Sequence, residues 1–193
     1  MNPQVIKIYF AGKMSAGKTF YADKLGKLLG MSIYTTVKKL SFSTPVKEIA
    51  TKYFGMTKKD RTLLQSIATK LREIDDRCFV NYMVESTNQF EKAKQVNWDV
   101  TQNIIYIVDD VRFKIEKDML DYYGFKGIYL DVDEELQLER QRKLNPALTD
   151  QEIKQNMAHH SENSLSAKDF PESNVIKINS DDSVTCKTIL SIL

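Results

Sequence analysis

The stretch Gly12-Lys13-Met14-Ser15-Ala16-Gly17-Lys18-Thr19 constrains this chain most. It reads G-x-x-x-x-G-K-T, a phosphate-binding pattern. Before it, Val5–Phe10 is a short run rich in Val, Ile, Tyr and Phe, as strands are. After it, Phe20–Leu29 carries Phe20, Leu25, Leu28 and Leu29, which predicts a helix with one buried face. Strand, loop and helix are the context this motif needs. Gly12 and Gly17 permit backbone conformations that bring N–H groups close to a phosphate, and the next helix turns its positive end to the same place. Gly12, Lys13, Met14, Ser15, Ala16, Gly17, Lys18 and Thr19 are therefore expected to wrap the phosphates of ATP. Lys18 is expected to reach the β- and γ-phosphates, and the Thr19 hydroxyl to bind Mg2+.

A second acidic motif follows much later. Ile104–Val108 is apolar except for the Tyr106 hydroxyl, and Asp109-Asp110 comes at once. Such a strand suits burial on both faces of a parallel sheet, with an acid at its carboxyl end to hold the magnesium shell. Asp110 is the candidate. It is equally placed to cap a helix over Phe113–Tyr123, and both roles are open to it.

The rest alternates strands with helices. Strands are expected at Ile33–Thr36 and near Val37–Phe42, then at Lys126–Asp131 and Val175–Ile178. Ser43-Thr44-Pro45 reads as a polar cap with Pro at the first helical position. The helix that follows places Val46, Ile49, Ala50, Tyr53 and Phe54 on its inner face and ends at Gly55. Further helices are expected over Thr62–Ile74 (Leu63, Leu64, Ile67, Leu71 and Ile74 inward), Phe79–Lys94, Asp133–Leu144, from Thr149, and Ser183–Leu193. Trp98 reads as a packing anchor. The alternation implies an α/β fold with a parallel sheet covered on both faces, and ligands at the carboxyl ends of the strands.

The chain's 193 residues suit one domain. A net charge of +2, spread along the sequence, makes no case for nucleic acid or membrane as partner. Cys78 and Cys186 read as reduced thiols, and with only His159 and His160 to join them a zinc site is not expected. There is no signal-peptide pattern and no apolar run of membrane-spanning length, so a cytoplasmic location is expected.

About sixty mostly helical residues separate the second strand region from Ile104, far more than a crossover needs. Such an insertion at the carboxyl edge of the sheet is placed to hold a phosphate acceptor. Its Lys47, Arg61, Gln65, Arg72 and Arg77 are candidate ligands for an anion. Arg140, Arg142 and Lys143 precede Pro146 and a polar stretch to Ser161, which suits cations that close over a transferring phosphoryl group.

Several segments resemble one family, the phage-type deoxynucleoside monophosphate kinases, relatives of adenylate kinase. Leu40-Ser41-Phe42-Ser43-Thr44-Pro45-Val46-Lys47 is similar to its S-F-A-x-P-[LIV]-K segment. Arg61 with Leu63-Leu64-Gln65 resembles its R-x-L-L-Q stretch, and Asp110-Val111-Arg112-Phe113 with Glu116 its D-V-R-F-x-x-E. His160-Ser161-Glu162 and Ile178-Asn179 resemble two later elements, the second lying near the nucleotide base. Thr19 stands where many members have Asp, Phe79 where many have Trp, and Ser43 where they have Ala.

The resemblance implies a P-loop NTPase three-layer α/β fold as a single domain over 1–193. A helical monophosphate-binding insertion would occupy about 44–100, and a LID-like segment about 140–163. It implies ATP and Mg2+ as cofactors, a (deoxy)nucleoside monophosphate as small-molecule substrate, and a monomer or homodimer in the cytoplasm (the host's, if phage-encoded). Catalytic roles fall to Lys18, Asp110, Arg112, Arg140 and Arg142. ATP binding falls to the loop and Asn179, metal binding to Thr19 and Asp110, and acceptor binding to Lys47, Arg61, Gln65, Arg72 and Arg112. Two other readings stay open: a P-loop kinase for another small acceptor, such as dephospho-coenzyme A or a sugar acid, and a nucleotide switch acting through a protein partner. Against the switch, the chain lacks N-K-x-D, and Asp110-Val111-Arg112-Phe113 stands where D-x-x-G would be.

Overall fold

Five short β-branched and aromatic runs become parallel strands because helices cover both of their faces. They are β1 (Val5–Ala11), β2 (Thr35–Leu40), β3 (Asn103–Val108), β4 (Lys126–Asp131) and β5 (Val175–Lys177). The structure, a computed structural model, describes residues 4–95, 103–158, 164–178 and 182–192. The sheet order is β2-β3-β1-β4-β5, and all four pairings are parallel. β1 is the central strand, in register with β3 at Val5↔Ile104 and with β4 at Ile8↔Lys126.

Eight α-helices complete the described fold: α1 (Lys18–Leu29), α2 (Ser43–Phe54), α3 (Arg61–Ile74), α4 (Cys78–Gln95), α5 (Lys114–Tyr122), α6 (Glu134–Leu144), α7 (Asp150–Met157) and α8 (Asp182–Ile192). Strand alternation sorts the core into two faces. Ile8, Phe10, Ile105 and Ile107 pack with Tyr21, Ala22 and Leu25 of α1 and Ile189 of α8. Tyr9, Tyr106 and Val108 pack on the other face with Val46 of α2, Ile67 of α3, Met83 of α4 and Leu120 of α5. The result is the expected three-layer α/β architecture, with α2, α3 and α4 inserted between β2 and β3.

Four local expectations need correction. The inner face of α1 is Tyr21, Ala22 and Leu25, while Phe20 and Leu28 are exposed. The helix starts inside the loop motif, at Lys18, and that start sets its rotation. Phe20 instead lies edge-on to Tyr21, with ring centroids 5.1 Å apart. The second strand region is one strand, Thr35–Leu40, with Ile33 and Tyr34 exposed before it.

Helix α2 begins at Ser43, before the predicted cap is complete. Its first N–H groups are met by Asp110, distant in sequence, so no local cap is required. Pro45 then falls within the first turn, where backbone N–H groups have no intrahelical partner to lose. Finally, Tyr53, Phe54 and Ile74 are exposed at the ends of α2 and α3. Helical spacing alone overstates the buried stripe at those ends.

Candidate active site

The loop after β1 is held in a conformation that only part of the amino-acid alphabet tolerates. Gly12 has φ 140°, and a Cβ there would lie 2.5 Å from the Leu130 carbonyl oxygen of β4. Ser15 (φ 61°) and Gly17 (φ 92°) are also left-handed. These turns gather backbone N–H groups into an anion-binding concavity. α1 starts immediately after Gly17 with no side chain capping it, so its positive end faces the same place. Lys18 folds back over the loop: its ammonium donates to the carbonyls of Gly12 and, at 2.9 Å, Lys13.

One face of α6 straps this loop from outside. Gln137 donates through Nε2 to the Met14 carbonyl at 2.7 Å, and Arg140 through Nη1 to the Ser15 carbonyl at 3.0 Å. Gln141 donates to the Ser15 hydroxyl. Residues 137, 140 and 141 share a face by helical spacing. Gln137 and Gln141 are buried, and each has a hydrogen-bond partner in the loop, as buried polar groups require. Sequence reasoning missed both glutamines. Their only local signal was an i, i+4 pair of amides beside Arg140. Arg142 lies elsewhere, its guanidinium forked onto Asp150 at 2.8 and 2.6 Å on an exposed surface.

At the end of β3 the two acids point to different partners. Asp110 accepts the Phe42 N–H at 2.9 Å, the Ser43 N–H at 3.0 Å and the Ser41 hydroxyl at 2.6 Å. It therefore caps α2, not the helix after it. Asp109 is buried and meets Lys39 at 2.9 Å, while the same ammonium meets Asp23 of α1 at 2.7 Å. Burial alone would lower the Lys39 pKa, but hydrogen bonds to Asp23 and Asp109 outweigh it and raise it.

The loop motif implies magnesium, so the donor set can be tested against that ion. Thr19 sits exposed in the first turn of α1. Three donors already use Asp110, whose two oxygens offer about four acceptor positions. One more donor fits, which suits a metal-bound water and the outer shell of Mg2+, an ion that keeps its waters.

The helical insertion carries a cleft of about 680 Å3 whose lining includes Phe54, Met56 and Leu63, three cations (Lys58, Lys59 and Arg61) and one carboxylate, Asp60. Lys59, which sequence reasoning also missed, identifies its character. The cleft wall partly desolvates its ammonium, and after that burial the charges of Arg61, Lys47 and Arg112 lower its pKa further. Lys47 of α2, Arg61 of α3 and Arg112 of the segment after β3 thus all bear on Lys59, while Lys58, Lys59 and Arg61 line the cleft itself. Lys47, Arg61 and Gln65 are exposed, and Arg112 is half-buried. Arg72 lies against the rings of Phe79 and Phe113, with its guanidinium paired to Glu116 at 2.9 Å. Asn179 lies outside the described residues, as do Trp98 and His159 to Glu162.

No protein-family model matches the sequence, and no curated protein does. Solved structures do match. A gluconokinase from Sinorhizobium meliloti 1021 is 12% identical over 96% of this chain and 90% of that one, with a TM-score of 0.52. The Mycobacterium tuberculosis APS kinase, in complex with AMPPNP and APS, is 8% identical over 98% of each chain, with a TM-score of 0.53. Shikimate kinase from Acinetobacter baumannii, in complex with shikimate, is 15% identical over 100% of this chain and 93% of that one, with a TM-score of 0.50. The fold is that of the P-loop kinases. At these identities the likeness is one of architecture, and the substrate has to be argued from this chain's own residues. Among the described residues no helix is long and apolar enough to cross a membrane.

Proposed function

We propose that this chain transfers the γ-phosphoryl group of ATP to a (deoxy)nucleoside monophosphate, giving ADP and the diphosphate. The observation that carries the reading is the cationic cleft on the insertion. Neighbouring like charges destabilise a protein unless an anion comes to them; Lys58, Lys59 and Arg61 line this cleft against a single carboxylate, Asp60, and the charges of Lys47 and Arg112 act on Lys59 as well. The phosphate-binding loop is one anion site and this cleft is a second. Direct transfer from a triphosphate to a phosphorylated acceptor needs both. Phe54, Met56 and Leu63 give the same cleft apolar surface, which suits the nucleoside part. The names of the solved kinases, which concern gluconate, APS and shikimate, support the coarser reading of a small acceptor.

In this reading Lys18 and the loop amides hold the ATP phosphates. Thr19 directly, and Asp110 through water, would hold magnesium, which neutralises phosphate charge when bound. Arg112, Lys47, Arg61 and Gln65 orient the acceptor so that its phosphate oxygen faces the γ-phosphorus in line. Arg140, already against Ser15, stands beside the developing charge, and Arg142 joins it only by leaving Asp150. Asn179 contributes to the ATP site. Catalysis comes from positioning and charge neutralisation, with no covalent enzyme intermediate.

The test is ADP release from MgATP with each deoxyribo- and ribonucleoside monophosphate in turn, beside Lys18→Ala. Turnover raised well above the acceptor-free rate by one or more monophosphates, and lost in Lys18→Ala, is the expected result. Binding of ATP with no stimulation by any monophosphate would sink the acceptor assignment.

A further inference from the structure

We infer that Arg72 and Glu116 form a latch whose work is to position Arg112, so that Arg72 is a positioning residue and not an acceptor ligand. The inference deepens the phosphoryl-transfer reading and rests on it for the role of Arg112. Glu116 folds back from the first turn of α5. Its Oε2 accepts the N–H of Arg112 at 2.9 Å and of Phe113 at 3.1 Å. Its Oε1 accepts Arg72 Nη2 at 2.9 Å. The Glu116 side chain is only 3% exposed. Burial pushes its pKa up, while the Arg112 N–H and the Arg72 charge pull it down. Removing Arg72 therefore leaves a buried carboxylate without its ion-pair partner, a costly arrangement. The two N–H bonds that orient the backbone at Arg112 then lose their anchor.

The guanidinium, on a side chain 28% exposed, packs against two aromatic rings. Its carbon lies 4.5 Å from the centre of the Phe79 ring and 4.3 Å from that of Phe113. A phosphate ligand has to turn its N–H fork towards the anion, but here Nη2 is committed to Glu116 and the guanidinium packs against two rings. The three elements joined are informative. Arg72 closes α3, Phe79 opens α4, and Phe113 precedes α5. One planar cation thus ties two helices of the insertion to the segment that carries Arg112. A flat guanidinium that packs on rings and forks onto a carboxylate is not replaced by the compact ammonium of lysine.

The experiment is a double-mutant cycle read by calorimetry on the full chain. Inorganic pyrophosphate is the probe, and the ATP site is saturated with AMPPNP. Arg72→Ala, Arg72→Lys and Glu116→Gln are each measured alone and in an Arg112→Ala background. Each is expected to weaken pyrophosphate binding about tenfold alone, and less than about twofold once Arg112 is absent, because coupled residues are not additive. AMPPNP affinity is expected to stay unchanged throughout. Equal losses in both backgrounds, full binding by Arg72→Lys, or failure of the unaltered protein to bind pyrophosphate would each overturn the latch. If Arg72→Ala does not fold, the isosteric Glu116→Gln carries the cycle. A cycle that holds while no nucleoside monophosphate is phosphorylated would sink the acceptor reading and leave the latch standing.

Discussion

Gly12 shows how little latitude a phosphate-binding loop leaves to single residues. It meets two separate constraints at once: a left-handed backbone at φ 140°, and the Leu130 carbonyl where a side chain would begin. Gly12→Ala should cost about 1–3 kcal/mol of stability through backbone strain alone, with the carbonyl contact adding to it, and should abolish ATP binding. Thermal unfolding with and without ATP checks this, and a variant that melts like the unaltered protein and is still stabilised by ATP would contradict it. The arginines show the opposite situation, one side chain serving several purposes. Arg140 donates to a loop carbonyl, Arg142 is forked onto an exposed aspartate, and Arg72 packs against two rings. Nothing in the residue type separates these settings.

Among elements, α6 is the most informative. Its polar residues are not all solvent-facing, because Gln137 and Gln141 are buried on the phosphate-binding loop. Gln137→Leu and Gln141→Leu should each weaken ATP binding about three- to tenfold, the worth of a neutral hydrogen bond. The KM for the acceptor should not change. Steady-state kinetics with each substrate varied separates the two, and an effect confined to the acceptor would contradict the strap. The same helix explains what the sequence could disclose. The loop motif, β3 with its acids, and β4 were legible because pattern and chemistry are local to each. Asp110 as the cap of α2 was not, since its partners Phe42 and Ser43 lie far back in the chain. Nor were the glutamines, whose partners Met14 and Ser15 are more than a hundred residues away. Lys59 was passed over because a lysine in a charged loop has no distinguishing pattern until the fold sets it in the cleft, where the charges of Arg61, Lys47 and Arg112 bear on it.

For the whole molecule, the sheet divides the labour. In the proposed reaction the loop after β1 addresses one anion, and the insertion between β2 and β3 addresses another through largely exposed cations. The acceptor's KM should therefore rise steeply between low and physiological ionic strength, since exposed charges are screened beyond a Debye length of about 8–10 Å. ATP, held largely by backbone N–H groups, should respond less. Initial rates across a salt series measure both, and equal slopes would argue against a cationic acceptor site. The strand order carries a consequence for how the chain is made. β1 and β2 leave the ribosome first, yet they are not neighbours: β2 pairs with β3, and β1 with β3 and β4. Every pairing of the sheet thus waits for residues beyond Asn103, and the earliest strands wait longest as unpartnered edges. Vectorial synthesis exposes β1, the central strand of the finished sheet, for the greatest time, and a chaperone that shelters nascent apolar strands would act on this segment first.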